Sequence, residues 1–175
     1  MKRKIIIFIM IWVLFLLQTT VFKSLQIAST VPNLLLILTV SIAFMQGKKE
    51  GLLTGFICGI LIDLFYGTIF GFYALVYMYI GYGCGFFSQV YYDEDIKVPL
   101  ILTAVSDFVY GFIVYVSRFL LRGRINFWGY LTSVIMPEIV YTVLITIILY
   151  RIIYKINHSL AEKEKEGSGS VWVKS

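Results

Sequence analysis

Apolar residues in this chain arrive in blocks, each close to the length of a bilayer-crossing helix at roughly 20 residues, with short polar or glycine-rich corners between them. That pattern leaves few folds open. Of 175 residues 59% are hydrophobic and only 14% are charged, with a mean hydropathy of +0.87. Soluble domains carry about 25% charged residues. The reading is an all-α, polytopic transmembrane helix bundle, a single integral membrane domain over 1–160 with no room for a separate soluble unit. From Ala161 the chain turns charged and then Gly/Ser-rich, and 161–175 is expected to be a disordered cytoplasmic tail.

Six spans are expected. The first runs from about Lys4 to Phe22, behind Lys2, Arg3 and Lys4. Its length and the lack of an A-x-A site argue against a cleaved signal peptide. The second opens at Pro32-Asn33 and continues to Met45, with a start that could reach back through Ile27. The third covers Gly51 to Tyr66, the fourth about Phe70 to Val90, the fifth about Val98 to Ser117, and the last about Phe127 to Tyr150. Cations near the span ends set the orientation. Lys2, Arg3, Lys4, Lys48, Lys49, Lys97, Arg151 and Lys155 fall on one side; Lys23, Arg118, Arg122 and Arg124 fall on the other. Eight against four places both termini in the cytoplasm of a multi-pass protein of the cell membrane, although the arginine-rich outer loop runs against the rule.

Within this frame glycine recurs at an interval of four: Gly47, Gly51, Gly55, Gly59, then Gly67 and Gly71, with Asp63 at the skipped position. Such a stripe lets another helix approach closely in lipid. Each step of four drifts about 40° around the helix, so Gly51 and Gly55 could touch one neighbour while Asp63 faces another. Gly51, Gly55, Gly59 and Gly71 are the expected helix-packing or partner seam, with packing inside the bundle favoured over a contact with another protein. Asp63, Asp107 and Glu138 are intramembrane acids, and Asn33 is a fourth polar group at a span start. No Lys or Arg lies at comparable depth. The acids therefore need hydroxyl or amide donors, water, or a partner's cation. A polar pocket or helix clamp is favoured over a proton relay, and Asp63→Asn is expected to be tolerated.

The remaining signals exclude function classes. A net charge of +5 with cations at span ends is a topology signal and no nucleic-acid footprint. Cys58 and Cys84 lie inside spans without metal spacing, and His158 has no ligand partners nearby, so no metal or cofactor is expected. Gly81-x-Gly83-x-Gly85 resembles a nucleotide fingerprint but sits in an apolar block and reads as close packing. Pro137 should kink or open the last span, freeing a carbonyl that Tyr141 or a neighbour satisfies. No Ser/His/Asp set, HExxH, CxxC or P-loop occurs, and the chain does not read as an enzyme.

Three segments together carry a family resemblance: Pro32-Asn33-Leu34-Leu35-Leu36-Ile37-Leu38; Gly51-x3-Gly55-Phe56-x2-Gly59-Ile60-Leu61-x-Asp63-Leu64-Phe65 with Gly71 following; and Pro137-x3-Tyr141-x2-Leu144. In order and spacing they resemble the rod shape-determining MreD family over Lys2 to about Lys155. The resemblance implies a non-catalytic component of the rod complex, which regulates cell shape by scaffolding peptidoglycan synthesis with the bitopic protein MreC, the MreB filament and the wall synthases. It also implies a fold similar to the membrane-embedded substrate-binding subunits of energy-coupling-factor vitamin transporters. A subunit of such a transporter is the alternative. Those subunits often carry small residues at intervals of four on the first span, whereas Ile5 to Leu17 here holds nothing small.

Overall fold

The computed structural model describes residues 2–25, 30–67, 69–90, 96–118 and 127–169. Every element among them is helical. α1 (Lys2–Leu16) passes through a π-helical turn (Leu17–Val21) into α2 (Phe22–Ser24). α3 (Leu34–Gln46), α4 (Lys48–Tyr66) and α5 (Phe72–Cys84) follow, α5 being extended by a 3-10 turn (Gly85–Val90). Next comes α6 (Lys97–Arg118), then α7 (Phe127–Tyr130), a second π-helical turn (Leu131–Ile135) and α8 (Met136–Gly169). The acidic corner Asp93–Asp95, Arg122 and Arg124 lie outside the described residues, as does the stretch around Ile27.

Three stretches are long and apolar enough to cross a membrane: Arg3–Ser24, Lys97–Ser117 and Trp128–Glu162. Each turns an apolar face outward, where a water-soluble helix would be polar. On α1, Ile7, Ile11, Leu14 and Phe15 point inward, while Ile5, Phe8, Ile9, Trp12 and Leu16 are exposed. On α6 the inward face is polar, with Thr103, Ser106 and Asp107, and the outward face is apolar, with Ile101, Val105, Phe108 and Phe112. α8 repeats this, with Thr142, Thr146, Tyr150 and Ile153 inside and Val140, Leu144, Ile148 and Ile152 outside. Apolar side chains cost nothing against lipid tails, and polar ones gather where they find partners. Several buried hydroxyls turn back on the preceding turn: Thr39 Oγ1 donates to the Leu35 carbonyl at 2.8 Å, Thr103 to Pro99 at 2.8 Å and Thr146 to Thr142 at 2.7 Å.

α3 differs in kind. Its 13 residues reach only about 20 Å at 1.5 Å per residue, short of a hydrocarbon core of about 30 Å. Every residue from Leu34 to Phe44 is buried. A helix that is apolar all round belongs in an interior, and α3 packs against α1, α4, α5, α6 and α8. The corner to α4 is Gly47 alone, at φ +90°, and Lys48 already begins α4. The sequence left the stretch between Met45 and Gly51 outside the expected spans; a left-handed glycine makes the reversal in one residue.

Pro137 has the expected effect on the backbone. The π-helical turn Leu131–Ile135 lies just before it, with the Met136 amide bonded to the Leu131 carbonyl. Tyr141 does not repair that turn; its hydroxyl donates to the Leu25 carbonyl at 3.2 Å and fastens α8 to the end of α2. α8 runs on to Gly169 where the charged stretch from Ala161 suggested an unfolded tail. Ala, Glu and Lys are strong helix formers, and extending an existing helix needs no new nucleus. Residues 170–175 lie outside the described residues. At the N-terminal end of the bundle, Arg3 Nη2 donates to Asn157 Oδ1 at 3.0 Å, which brings the start of α1 and the later part of α8 to the same side.

Candidate functional site

The glycine stripe is buried in an antiparallel pairing of α4 with α5. A Cβ at Gly51 would lie 2.5 Å from Ala43 Cβ and 2.6 Å from the Gly81 carbonyl oxygen. One at Gly55 would strike the Tyr77 carbonyl, and one at Gly59 the Ala74 Cα and Tyr73 carbonyl. From α5 and its extension, Gly81 meets the Gly51 carbonyl and Gly85 meets Lys48 Cα, at 2.5 Å. Backbone lies on backbone along the whole hairpin. Gly81 and Gly85 of the Gly81-x-Gly83-x-Gly85 run are thus the other half of the seam, while Gly83 faces open space. Gly71 stands apart from the seam. Nothing lies within 4 Å of a Cβ there, and its φ of +94° makes it a left-handed residue before α5. Its glycine answers a backbone conformation and no packing contact.

Asp63 closes the same hairpin. It is only 4% exposed. Its Oδ1 accepts from the Tyr73 amide at 3.0 Å and its Oδ2 from the Ala74 amide at 2.8 Å. Its own carbonyl accepts from the Gly67 amide at 3.0 Å, ending α4. One residue therefore terminates one helix and caps the next. α5 needs this, because Gly71 offers its N-terminus no side-chain cap. The positive end of the α5 dipole supplies what an intramembrane cation would have supplied. The sequence pattern pointed to side-chain donors, water or a foreign cation; the partners are main-chain amides ten and eleven residues away. The available signal was a helix start with no Ser, Thr, Asp or Asn of its own.

Asn33, Asp107 and Glu138 converge elsewhere. Asn33 caps α3, its Oδ1 accepting from the Leu36 amide at 3.3 Å. The same oxygen accepts from the Tyr77 hydroxyl at 2.6 Å, and the Asn33 amide donates to Thr142 Oγ1 at 3.2 Å. One residue thus ties α3 to α5 and α8. Asp107, 2% exposed, lies beside Thr142 and Asn33. Neither of its oxygens has a hydrogen bond of good geometry among the described residues. Glu138 lies near Asp107. Tyr77 and Thr142 complete this cluster, and the sequence had singled out neither. Asp63 sits apart from it, on the α4–α5 corner.

Beside the cluster lies a cavity of about 480 Å³. Its walls come from both π-helical regions: Gln18 and Thr19 belong to the first π turn, Tyr130 precedes the second and Glu138 follows it. Lys23, Tyr66, Tyr73 and Tyr110 also line it. π turns recur at functional sites because they re-aim side chains that a regular helix would direct elsewhere. Among the described residues no group of His, Cys, Asp and Glu is arranged to hold a metal.

Outward apolar faces, helices of membrane-crossing length and a backbone-tight helical hairpin define an all-helical integral membrane protein. A family model for rod shape-determining protein MreD matches residues 1–159, and the chain belongs to that family. Its role therefore lies in rod shape determination, and it is a shape-determining membrane protein by family. Comparisons with curated proteins and with solved structures gave no match.

Proposed function

We propose that this protein is a non-catalytic integral membrane component of the rod complex. In this reading it regulates cell shape by scaffolding peptidoglycan synthesis together with an MreC-like bitopic protein, the MreB filament and the wall synthases. Family membership over residues 1–159 is the observation that carries it. On this reading the chain makes six passes, the short and fully enclosed α3 counting as one of them, with both termini in the cytoplasm. The Arg3–Asn157 contact supports that topology, since it brings the beginning of α1 and the later part of α8 to one side of the bundle.

The geometry also bears on how a partner is met. The seam of Gly51, Gly55 and Gly59 is filled by α5, so a partner's membrane helix engages other faces. Outward apolar faces on α1, α6 and α8, and on the sides of α4 and α5 away from the seam, are available. In-membrane crosslinking from these faces, combined with rescue of rod shape in a depleted strain, tests the reading. Recovery of the MreC-like protein and restored rods are expected; a strain whose shape is indifferent to this protein refutes it. A co-purifying vitamin, with no effect on shape, would instead mark a transporter subunit.

A further inference from the structure

A lysine and a glutamate line the cavity between the π-helical turns, yet they do not pair with each other. Lys23 and Glu138 both face it, and among the described residues no ion pair joins them. Much of the remaining wall is aromatic, with Tyr66, Tyr73, Tyr110 and Tyr130. Aromatic faces attract ammonium groups, the more so when water is excluded. Asp107, buried and without a hydrogen bond of good geometry among the described residues, sets a second carboxyl group near Glu138. At about 480 Å³ the space falls within the roughly 300–1,000 Å³ typical of small-molecule sites.

A simple cation would meet Lys23, and a simple anion would meet Glu138 with Asp107 nearby. A dipolar molecule satisfies both walls at once. We propose that this cavity binds a small zwitterion, with its ammonium group against Glu138 and the tyrosine rings and its anionic group at Lys23. The ligand is either a free zwitterion or the headgroup of a zwitterionic phospholipid whose chains remain in the bilayer. The proposal stands apart from the partner reading above.

The purified full chain in detergent is titrated calorimetrically with phosphoethanolamine, and separately with ethanolamine and with inorganic phosphate. In parallel, the protein is reconstituted in nanodiscs holding equal phosphatidylethanolamine and phosphatidylglycerol, and retained lipid is read by native mass spectrometry. In at least one arm the zwitterion should be favoured about tenfold over its single-charge counterparts. Soluble binding assigns a free ligand, and retained phosphatidylethanolamine assigns a lipid. Lys23→Gln and Glu138→Gln should each erase most of that preference. Lys23 is solvent-exposed, so its substitution leaves the fold intact and keeps the test decisive if Glu138→Gln fails to fold. Absence of a preference in both arms overturns the proposal, as does a preference that survives Lys23→Gln or survives in a folded Glu138→Gln protein.

Discussion

Gly55→Ala tests the hairpin most directly. A Cβ at Gly55 strikes the Tyr77 carbonyl oxygen and lies 2.8 Å from its carbonyl carbon and 3.1 Å from Thr39 Cγ2. Carbon atoms rest at about 3.5–4.0 Å, so α4 and α5 must part by about 1 Å to admit one methyl group. The obstacle is main chain, which cannot rotate aside as a side chain would. One turn further on, Gly59 stands against the backbone of Tyr73 and Ala74, the residues whose amides Asp63 holds. Opening the seam therefore strains that cap as well. Overpacking costs about 1–3 kcal/mol, and alanine's better helix propensity returns up to about 1 kcal/mol. A net loss of about 1–2 kcal/mol is expected for Gly55→Ala, with Gly55→Leu larger. Gly83→Ala, also in this hairpin but facing open space, is the control and should be neutral or stabilising by up to about 1 kcal/mol. Reversible unfolding in mixed micelles, followed by tryptophan fluorescence, measures both. Equal stability of Gly55→Ala and Gly83→Ala would refute the backbone-contact argument.

Asp63→Asn, which the sequence pattern suggested would be tolerated, should cost roughly 1.5–3 kcal/mol in the same unfolding assay. Asn keeps one acceptor and turns an NH₂ toward an amide that also donates, and Asp63→Leu should be worse still. At Gly71, with φ +94°, alanine should lose about 1–2 kcal/mol and asparagine distinctly less, a ranking that thermal denaturation can check. Tyr77→Phe removes the 2.6 Å bond to Asn33 and should lower stability by about 0.5–1.5 kcal/mol, while Asn33→Ala, which also uncaps α3, should lower it further. Cysteine placed at Arg122 should label from outside the cell only; labelling from inside alone would sink the six-pass topology.

Much of the architecture is legible in the amino-acid order. Long apolar blocks and scarce charge dictate helices in a membrane, because each helix satisfies its own backbone bonds and needs only an apolar surround. The stripe Gly51, Gly55, Gly59 announces a close helix contact, and Pro137 a local opening, since both are properties of one helix read along itself. What the stripe touches is not legible there. Its counterpart includes Gly81 and Gly85 but also the plain backbone of Tyr77, Tyr73 and Ala74, and a main-chain carbonyl carries no sequence signature. The same reason hides the partners of Asp63: two amides at the start of α5 are donors that every residue except proline possesses. Tertiary structure also decides that α3 is an interior helix, a matter of which neighbours surround it and one that an evenly apolar sequence cannot express. It likewise brings Asn33, Tyr77, Asp107 and Thr142, on four separate elements, to one place. Composition and periodicity fix what a segment needs; only the packing of segments fixes which atoms meet that need.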